Sequence, residues 1–450
     1  MMNRIFKNRL LLLLLIGLGA CDGFLDEKPN VSLVVPTSLD DLQALLDNTD
    51  QAMNEHGQFP LLRSDEFVAD ESLVDAELEM LRNVYLWEPN PYSQDDLVMD
   101  WTRPFNQILI TNIVLEKAGR IQPSTSRETE RKAQLMGSAY FFRALANFTL
   151  AQVFAPAFRP NGNNNSLCFP LRDTADPNTS FGLSTTAEAY DFIITDLEKA
   201  LELLPQSSEL PTRPNLISAR ALLARIYLSM GIYDKAGEYA ELVLAEKSDL
   251  KDFNEITVSG INPFARFNKE TIFYSQFAFS GFTFSQLFKV SDEFLSLYNE
   301  DDLRLPLYFI RRPGGWKNFI GHYSGSIEYF SGITTAEMYL IAAESAVRNG
   351  NLAKARNLFA LLAGKRMRNG LVPDLSSLSD EGLLSEILDE RKRELFGRGL
   401  RWSDLKRLNL EERFEVTFVR KYRETTISIP PNDSRYVSVI PPREIELESF

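Results

Sequence analysis

The chain has 450 residues, 44% hydrophobic and 24% charged, the balance of a globular protein built as one large domain or two or three intimate lobes. A net charge of −14 argues against any partner gripped through a phosphate backbone, so nucleic acid is excluded. Two histidines, His56 and His322, are too few for a multi-histidine metal centre.

At the start, Arg4, Lys7 and Arg9 precede an apolar run from Leu10 to Leu18, the charge-then-apolar order of a secretory signal. The run is too short to span a bilayer, which takes about 20 apolar residues in a helix. It ends in Leu18, Gly19, Ala20 and Cys21, the small-residue approach required for lipoprotein processing. Residues 1–20 are therefore expected to be removed and Cys21 to carry the acyl chains that tether the protein to a membrane. Their removal takes three basic residues and no acids, moving the net charge from −14 to −17. Cys168 is then the one remaining cysteine, so no intramolecular disulfide can form and the core must hold the fold.

Further along, RSDEFVADES gathers Asp65, Glu66, Asp70 and Glu71. Such carboxylates can accept hydrogen bonds from hydroxyls or bind calcium, but a solvated loop is the simpler reading. Tyr85 and Trp87 follow, just before a turn. A helix from Trp101 to about Gly119 is answered by a second over residues 134–155, and another runs from Thr185 to Leu204. Within residues 222–244, Leu223, Ala224, Tyr227, Gly231, Tyr233 and Ala236 fall at tetratricopeptide spacing. Small alanines let two antiparallel helices approach, and Gly231 supplies the turn. The pattern returns 119 residues later with Ala343, Gly350, Ala355 and Phe359. The prediction is an all-α protein in the main, with tetratricopeptide-like helix pairs over about 100–250 and 333–410.

Two stretches lack helical periodicity. Residues 156–182 are rich in Asn, Pro and Gly, and residues 250–332 in aromatics, so both are expected to be long irregular loops on the ligand side. From 416 to 450, prolines among β-branched residues predict an extended tail packed over the helices. Binding a sugar or peptide calls for flat apolar faces at a wet surface with polar groups beside them. Trp316 and Tyr323 in RRPGGWKNFIGHYSG meet that description, with Arg311, Arg312, Lys317, Asn318 and His322 nearby. Trp87, Tyr85, Asp65 and Asp70 complete the candidate ligand-binding set, whereas Trp101 and Trp402 read as packing residues. Glu390 and Glu394 could be the carboxylate pair of a glycoside hydrolase, but the interleaved Arg391, Lys392 and Arg393 satisfy their charge locally. There is no Gly-x-Ser-x-Gly elbow, phosphate loop or dinucleotide fingerprint, so no catalytic residue, metal or cofactor is assigned.

Five blocks in order resemble the SusD/RagB family. They are CDGFLDEKPN with TSLDDLQALLDN, GSAYFFRALANFTLAQVFAPAF, ARALLARIYLSMGIYDKAGEYAELVL, AEMYLIAAESAVRNGNLAKARNLFALLAGKR, and DERKRELFGRGLRWSDLKRL closing with SVIPPREIELES. Arg398 departs from the pattern, standing where the family has an acid before its glycine. The resemblance implies one SusD-like domain over 21–450, lipid-anchored to the outer membrane and facing the cell exterior. It implies capture of a glycan or other large nutrient, such as a peptide, and delivery to a TonB-dependent, SusC-like transporter. A tetratricopeptide scaffold without a small ligand, and a surface glycoside hydrolase, are the alternatives.

Overall fold

The computed structural model describes residues 36–257 and 260–448, so the leader segment, Cys21 and the final two residues lie outside the described residues. Helices form where the sequence supplies both an apolar face and a cap. Helix α1 (Leu39–Leu46) opens on a reciprocal capping box between Ser38 and Asp41. It lies against α2 (Met99–Arg120) and α3 (Ser126–Phe154), which form a long antiparallel pair. The Thr125 hydroxyl accepts the Glu128 amide at the start of α3, satisfying one of the amides a helix leaves open there. Helix α4 (Thr186–Leu203), begun by a second capping box, packs on the other side of α3, and a Cβ on Gly137 would collide with Leu203. The Arg143 guanidinium donates twice to Asp196 at 2.7 and 2.8 Å and once to Asn112 at 2.8 Å, tying α2, α3 and α4 through one buried charge pair.

Two tetratricopeptide-like pairs follow: α5 (Leu216–Ser229) with α6 (Tyr233–Glu246), and α7 (Thr335–Arg348) with α8 (Leu352–Ala363). Their turns are alike. Gly231 and Gly350 take φ of 72° and 75°, a left-handed backbone open to glycine at little cost. Ala224, Ala236, Ala343 and Ala355 are buried at the helix contacts. Although 88 residues separate α6 from α7 in sequence, the two helices pack face to face, and Gly237 admits Ser345 where a Cβ would come within 2.8 Å. Helix α9 (Asp380–Glu394) packs on α7, and α10 (Arg401–Leu408) is tied to it by Arg407, which donates to Glu344 at 2.9 Å. The fold is mainly α-helical, as expected.

The long segments between helices are not loops in the expected sense. The segment 250–332 emerges between the stacked repeat pairs and builds small sheets with distant parts of the chain. Strand β1 (Phe67–Ala69) pairs antiparallel with β2 (Phe288–Val290), and β3 (Phe309–Arg311) forms a hairpin with β4 (Lys317–Phe319). Phe67 stacks on Phe288 at 4.5 Å, and Phe309, Phe319, Tyr329 and Phe396 close round them. An insertion this long cannot leave so many rings in water, so it folds back and its rings join the hydrophobic core of the helices. In the tail, expected to be extended, β5 (Phe418–Tyr422) and β6 (Thr425–Ile429) form an antiparallel hairpin of extended strands. Trp87, Trp402, Phe418 and Tyr436 make a separate small core beneath it.

Candidate ligand-binding site

The carboxylates that could have served a hydrolase are neutralised from within. Arg304 donates to Asp302, Glu390 and Glu394 at 2.7 to 3.1 Å, and Arg366 bridges Glu394 and Glu270. Burial would raise the Glu390 carboxyl, but Arg304 and Arg393 hold it down at about 2. These groups are structural. The acidic run from 65 to 71 is dispersed by strand β1 rather than gathered. Asp65 pairs with Arg401 at 2.7 Å, and Glu66 turns inward to accept the Gly397 amide. Asp70 caps the short helix Glu71–Ala76 and takes the Lys289 ammonium at 2.7 Å, which with the Ser72 bonds lowers its carboxyl to about 2. Among the described residues, no group of three or more His, Cys, Asp or Glu side chains could hold a metal ion.

Most of the predicted aromatic set is buried. Tyr323 is 0% exposed, its hydroxyl donating to Glu270 at 3.2 Å and its ring under the Arg398 guanidinium at 4.3 Å. His322 packs edge-on between Phe319 and Tyr329, and burial pushes its imidazole down to about 3, so it is neutral at ordinary pH. Trp87 stacks on Phe418 of the C-terminal hairpin and donates its indole N–H to the Arg63 carbonyl at 3.0 Å. Tyr85 accepts the Ala69 amide at 2.8 Å, and Arg420 lies across both rings at about 4 Å. Trp316 and Tyr323 therefore do not form a shared platform, and Trp87 and Tyr85 are covered by the tail.

What does reach the surface is a different set. Trp316 is half-buried at the tip of the β3–β4 hairpin. Its N–H donates to the Gln286 carbonyl at 2.9 Å, the same oxygen that receives the Asn318 amide at 3.0 Å. The indole folds over Gly314, where a Cβ would lie 1.6 Å from the ring, so a glycine is required. Gly315 beside it has φ of 94°. The Lys289 ammonium sits 4.8 Å from the ring centroid, bringing Asp70 and Trp316 to one surface. Arg311 is exposed on the same hairpin.

Next to this tip runs a cleft of about 110 Å³ lined by Phe284, Gln286, Arg312, Asn318, Ile327 and, at its buried side, His322. Phe279 stands at 65% exposure beside it, 4.6 Å from Phe284, with Ile261 and Ile327 also open to water. A large ring left this exposed, packed on the half-buried Phe284 with further apolar side chains open beside it, marks a place for something else to cover. Sequence reading missed Phe279 and Phe284. No clear signal was there to find: FAFSGFTF holds four phenylalanines, and Phe277 and Phe282 of the same stretch are buried. A larger cleft of about 280 Å³ lies elsewhere, between α2 and residues 170–177, and holds none of the predicted residues.

Comparison with known proteins gives one result from three directions. The family described as "Starch-binding associating with outer membrane" matches residues 23–228, and the one described as "SusD family" matches residues 321–439. A SusD-like protein P2 of Formosa agariphila is 26% identical over 250 residues, which take in 53% of this chain and 46% of that protein. The match thus spans about half the length of that relative. Among solved structures, a SusD superfamily protein of Bacteroides thetaiotaomicron superposes with a TM-score of 0.74 at 22% identity, covering 92% of this chain and 98% of the other. A putative sugar binding protein of Bacteroides vulgatus gives 0.75 at 21% identity, covering 92% and 97%.

Proposed function

The chain belongs to the SusD/RagB family of nutrient-binding proteins, and from that premise we propose that it captures a glycan at the cell surface on the face formed by Phe279, Phe284 and the β3–β4 hairpin. The observation that carries this reading is the exposed Phe279 ring against the half-buried Phe284, beside a cleft edged by Arg312, Asn318 and Gln286. Sugar rings present apolar C–H faces and a periphery of hydroxyls, and an aromatic ledge beside a fixed guanidinium donor suits both. Asn318 is fixed by two backbone carbonyls, and Arg312 is fixed by Asn318 at 2.8 Å, so the polar groups are held in place before a ligand arrives.

In this reading Cys21 carries the acyl anchor, and the helix-pair face meets a TonB-dependent, SusC-like transporter that receives the nutrient. Leu242 of α6 and Leu361 of α8 are exposed leucines that a docked protein would cover. The family's likeness to sugar-binding structures supports a glycan over a peptide.

Calorimetry against a polysaccharide panel tests the site. Phe279→Ala should weaken binding about thirtyfold, the effect of losing an aromatic anchor worth about 2 kcal/mol, while the melting temperature stays within a degree or two of wild type. Unchanged affinity for every glycan that wild type binds would remove this face as the site. For the anchor, Cys21→Ala should yield protein without acyl mass that no longer sediments with membranes; an unmodified Cys21 in mature wild-type protein would refute it.

A further inference from the structure

The β3–β4 hairpin tip carries a charge arrangement that neither the fold nor glycan stacking requires. Arg311 and Lys317 stand directly opposite one another across the two strands. Like charges in that position repel and destabilise a hairpin. Arg312 follows at the turn, and Lys289 approaches from β2 over the Trp316 ring. Elsewhere arginines are extensively paired: Arg143 with Asp196, Arg225 with Glu337, Arg304 with Glu390, Arg407 with Glu344. At the tip the only such pair among the described residues is Lys289 with Asp70, and Arg311, Arg312 and Lys317 have no carboxylate within ion-pair distance. Burial and the neighbouring Arg311 both push the Lys317 ammonium down, the response of a cation that lacks an anion. All this occurs in a chain whose net charge is −14.

Building on the glycan reading, we propose that this tip binds the acidic groups of a polyanionic polysaccharide, carboxylates of uronic acids or sulfate esters. The Arg312 guanidinium uses its Nε–H on Asn318, and among the described residues no other acceptor takes its remaining N–H groups. Those donors form a planar fork suited to a carboxylate or sulfate. Arg311 and Lys317 add charge at the outer edge, where an anion between them would turn their repulsion into attraction. The tip is rigid because Trp316 is pinned by Gln286 and Gly314, so little ordering is needed on binding. Arg312 and Asn318 of the hairpin line the cleft together with Phe284, on which Phe279 packs, so one chain of sugars can lay a ring on Phe279 and an acidic substituent on the hairpin. At physiological salt, charges beyond about 8 Å are largely screened, so the local cations prevail over the acidic remainder of the molecule.

The experiment is affinity electrophoresis and calorimetry of the purified protein against polygalacturonate, dextran sulfate, neutral dextran, neutral laminarin and poly-glutamate, at low and physiological salt. Retention by polygalacturonate or dextran sulfate, stronger than by either neutral polymer and falling with salt, is expected, and which of the two acidic polymers binds separates carboxylate from sulfate. The double variant Arg311→Glu, Lys317→Glu should weaken that binding tenfold or more, with Arg311→Gln, Lys317→Gln intermediate and both melting like wild type. Lys354→Glu, on the far repeat surface, should leave it unchanged. Neutral glycans bound as well as acidic ones, with binding lost in Phe279→Ala but kept in the hairpin variants, would overturn the acidic preference and leave the glycan reading standing. Equal retention by poly-glutamate would overturn it in favour of an acidic peptide. Binding to no polysaccharide would overturn both.

Discussion

In the repeat pairs, small residues set the contacts: Gly237 admits Ser345, Ala224 and Ala236 are fully enclosed, and each buried guanidinium meets its carboxylate within about 3 Å. In the insertion between them, large rings set the contacts, and the polar groups at its rim are left open. Both regions contribute to one continuous core. The two regions differ in what remains unsatisfied at the surface: the repeats keep their buried charge matched, and the insertion displays the exposed Phe279 ring and three cations that have no carboxylate partner among the described residues. Unsatisfied groups on a rigid frame are where a partner gains most, because nothing in the protein must be given up to meet it.

The contrast can be broken by substitution, and the largest effect is expected in the scaffold. Asp196→Ala leaves the buried Arg143 charge without its partner and should cost about 3–5 kcal/mol in urea unfolding, with glycan affinity of the folded fraction unchanged. A cost under 1 kcal/mol would mean that the matched charges are incidental.

The next effect depends on pH and lies at the junction of the two regions. Burial lifts the Glu66 carboxyl to about 8, even though the Gly397 amide and Ser64 hydroxyl favour its anion. In the unfolded chain it ionises near 4.5, so its folded form binds a proton that the unfolded form has lost. Stability from this group is intact below the lower value and drains away as pH rises to the upper one. Asp100, Lys406 and the two histidines titrate in overlapping ranges. The readout is therefore the stability difference between Glu66→Gln and wild type, which should move in favour of the variant by up to about 1.4 kcal/mol per pH unit between the two values. A difference independent of pH would show that Glu66 is ionised throughout.

Smaller still is Gly350→Ala. A Cβ there meets nothing within 4 Å, so only the positive φ opposes it, and a loss of about 1 kcal/mol is expected in thermal melts. The smallest effect is at the rim. Arg311→Gln should change stability by less than about 0.5 kcal/mol, or raise it slightly by relieving the repulsion from Lys317, because the residue is exposed and unpaired. A large loss there would place Arg311 in the architecture and remove the distinction between the two regions.

Much of the scaffold was legible in the sequence because its physics is local. A 3.6-residue period, alanines at the contacts and a glycine at each turn act over a few positions, so both tetratricopeptide-like pairs and the roles of Gly231 and Gly350 could be read directly. Glu390 and Glu394 were also legible as structural, since their arginines are partly neighbours on the same helix. The site was legible only in its neighbourhood. Trp316, read in a Gly-rich loop, sits half-buried at a hairpin tip, but Tyr323, His322, Trp87 and Tyr85 went inside, and Phe279 and Phe284 went unnoticed. Whether a ring is wet or dry is decided by what covers it, and those covers come from far away. Phe418 and Arg420 close over Trp87 and Tyr85 from more than three hundred residues along the chain, and Glu270 and Arg398 enclose Tyr323 from two further elements. Sequence composition supplied the aromatic rings and cations; tertiary contacts alone determined which of them were left over, because burial is a property of neighbours in space.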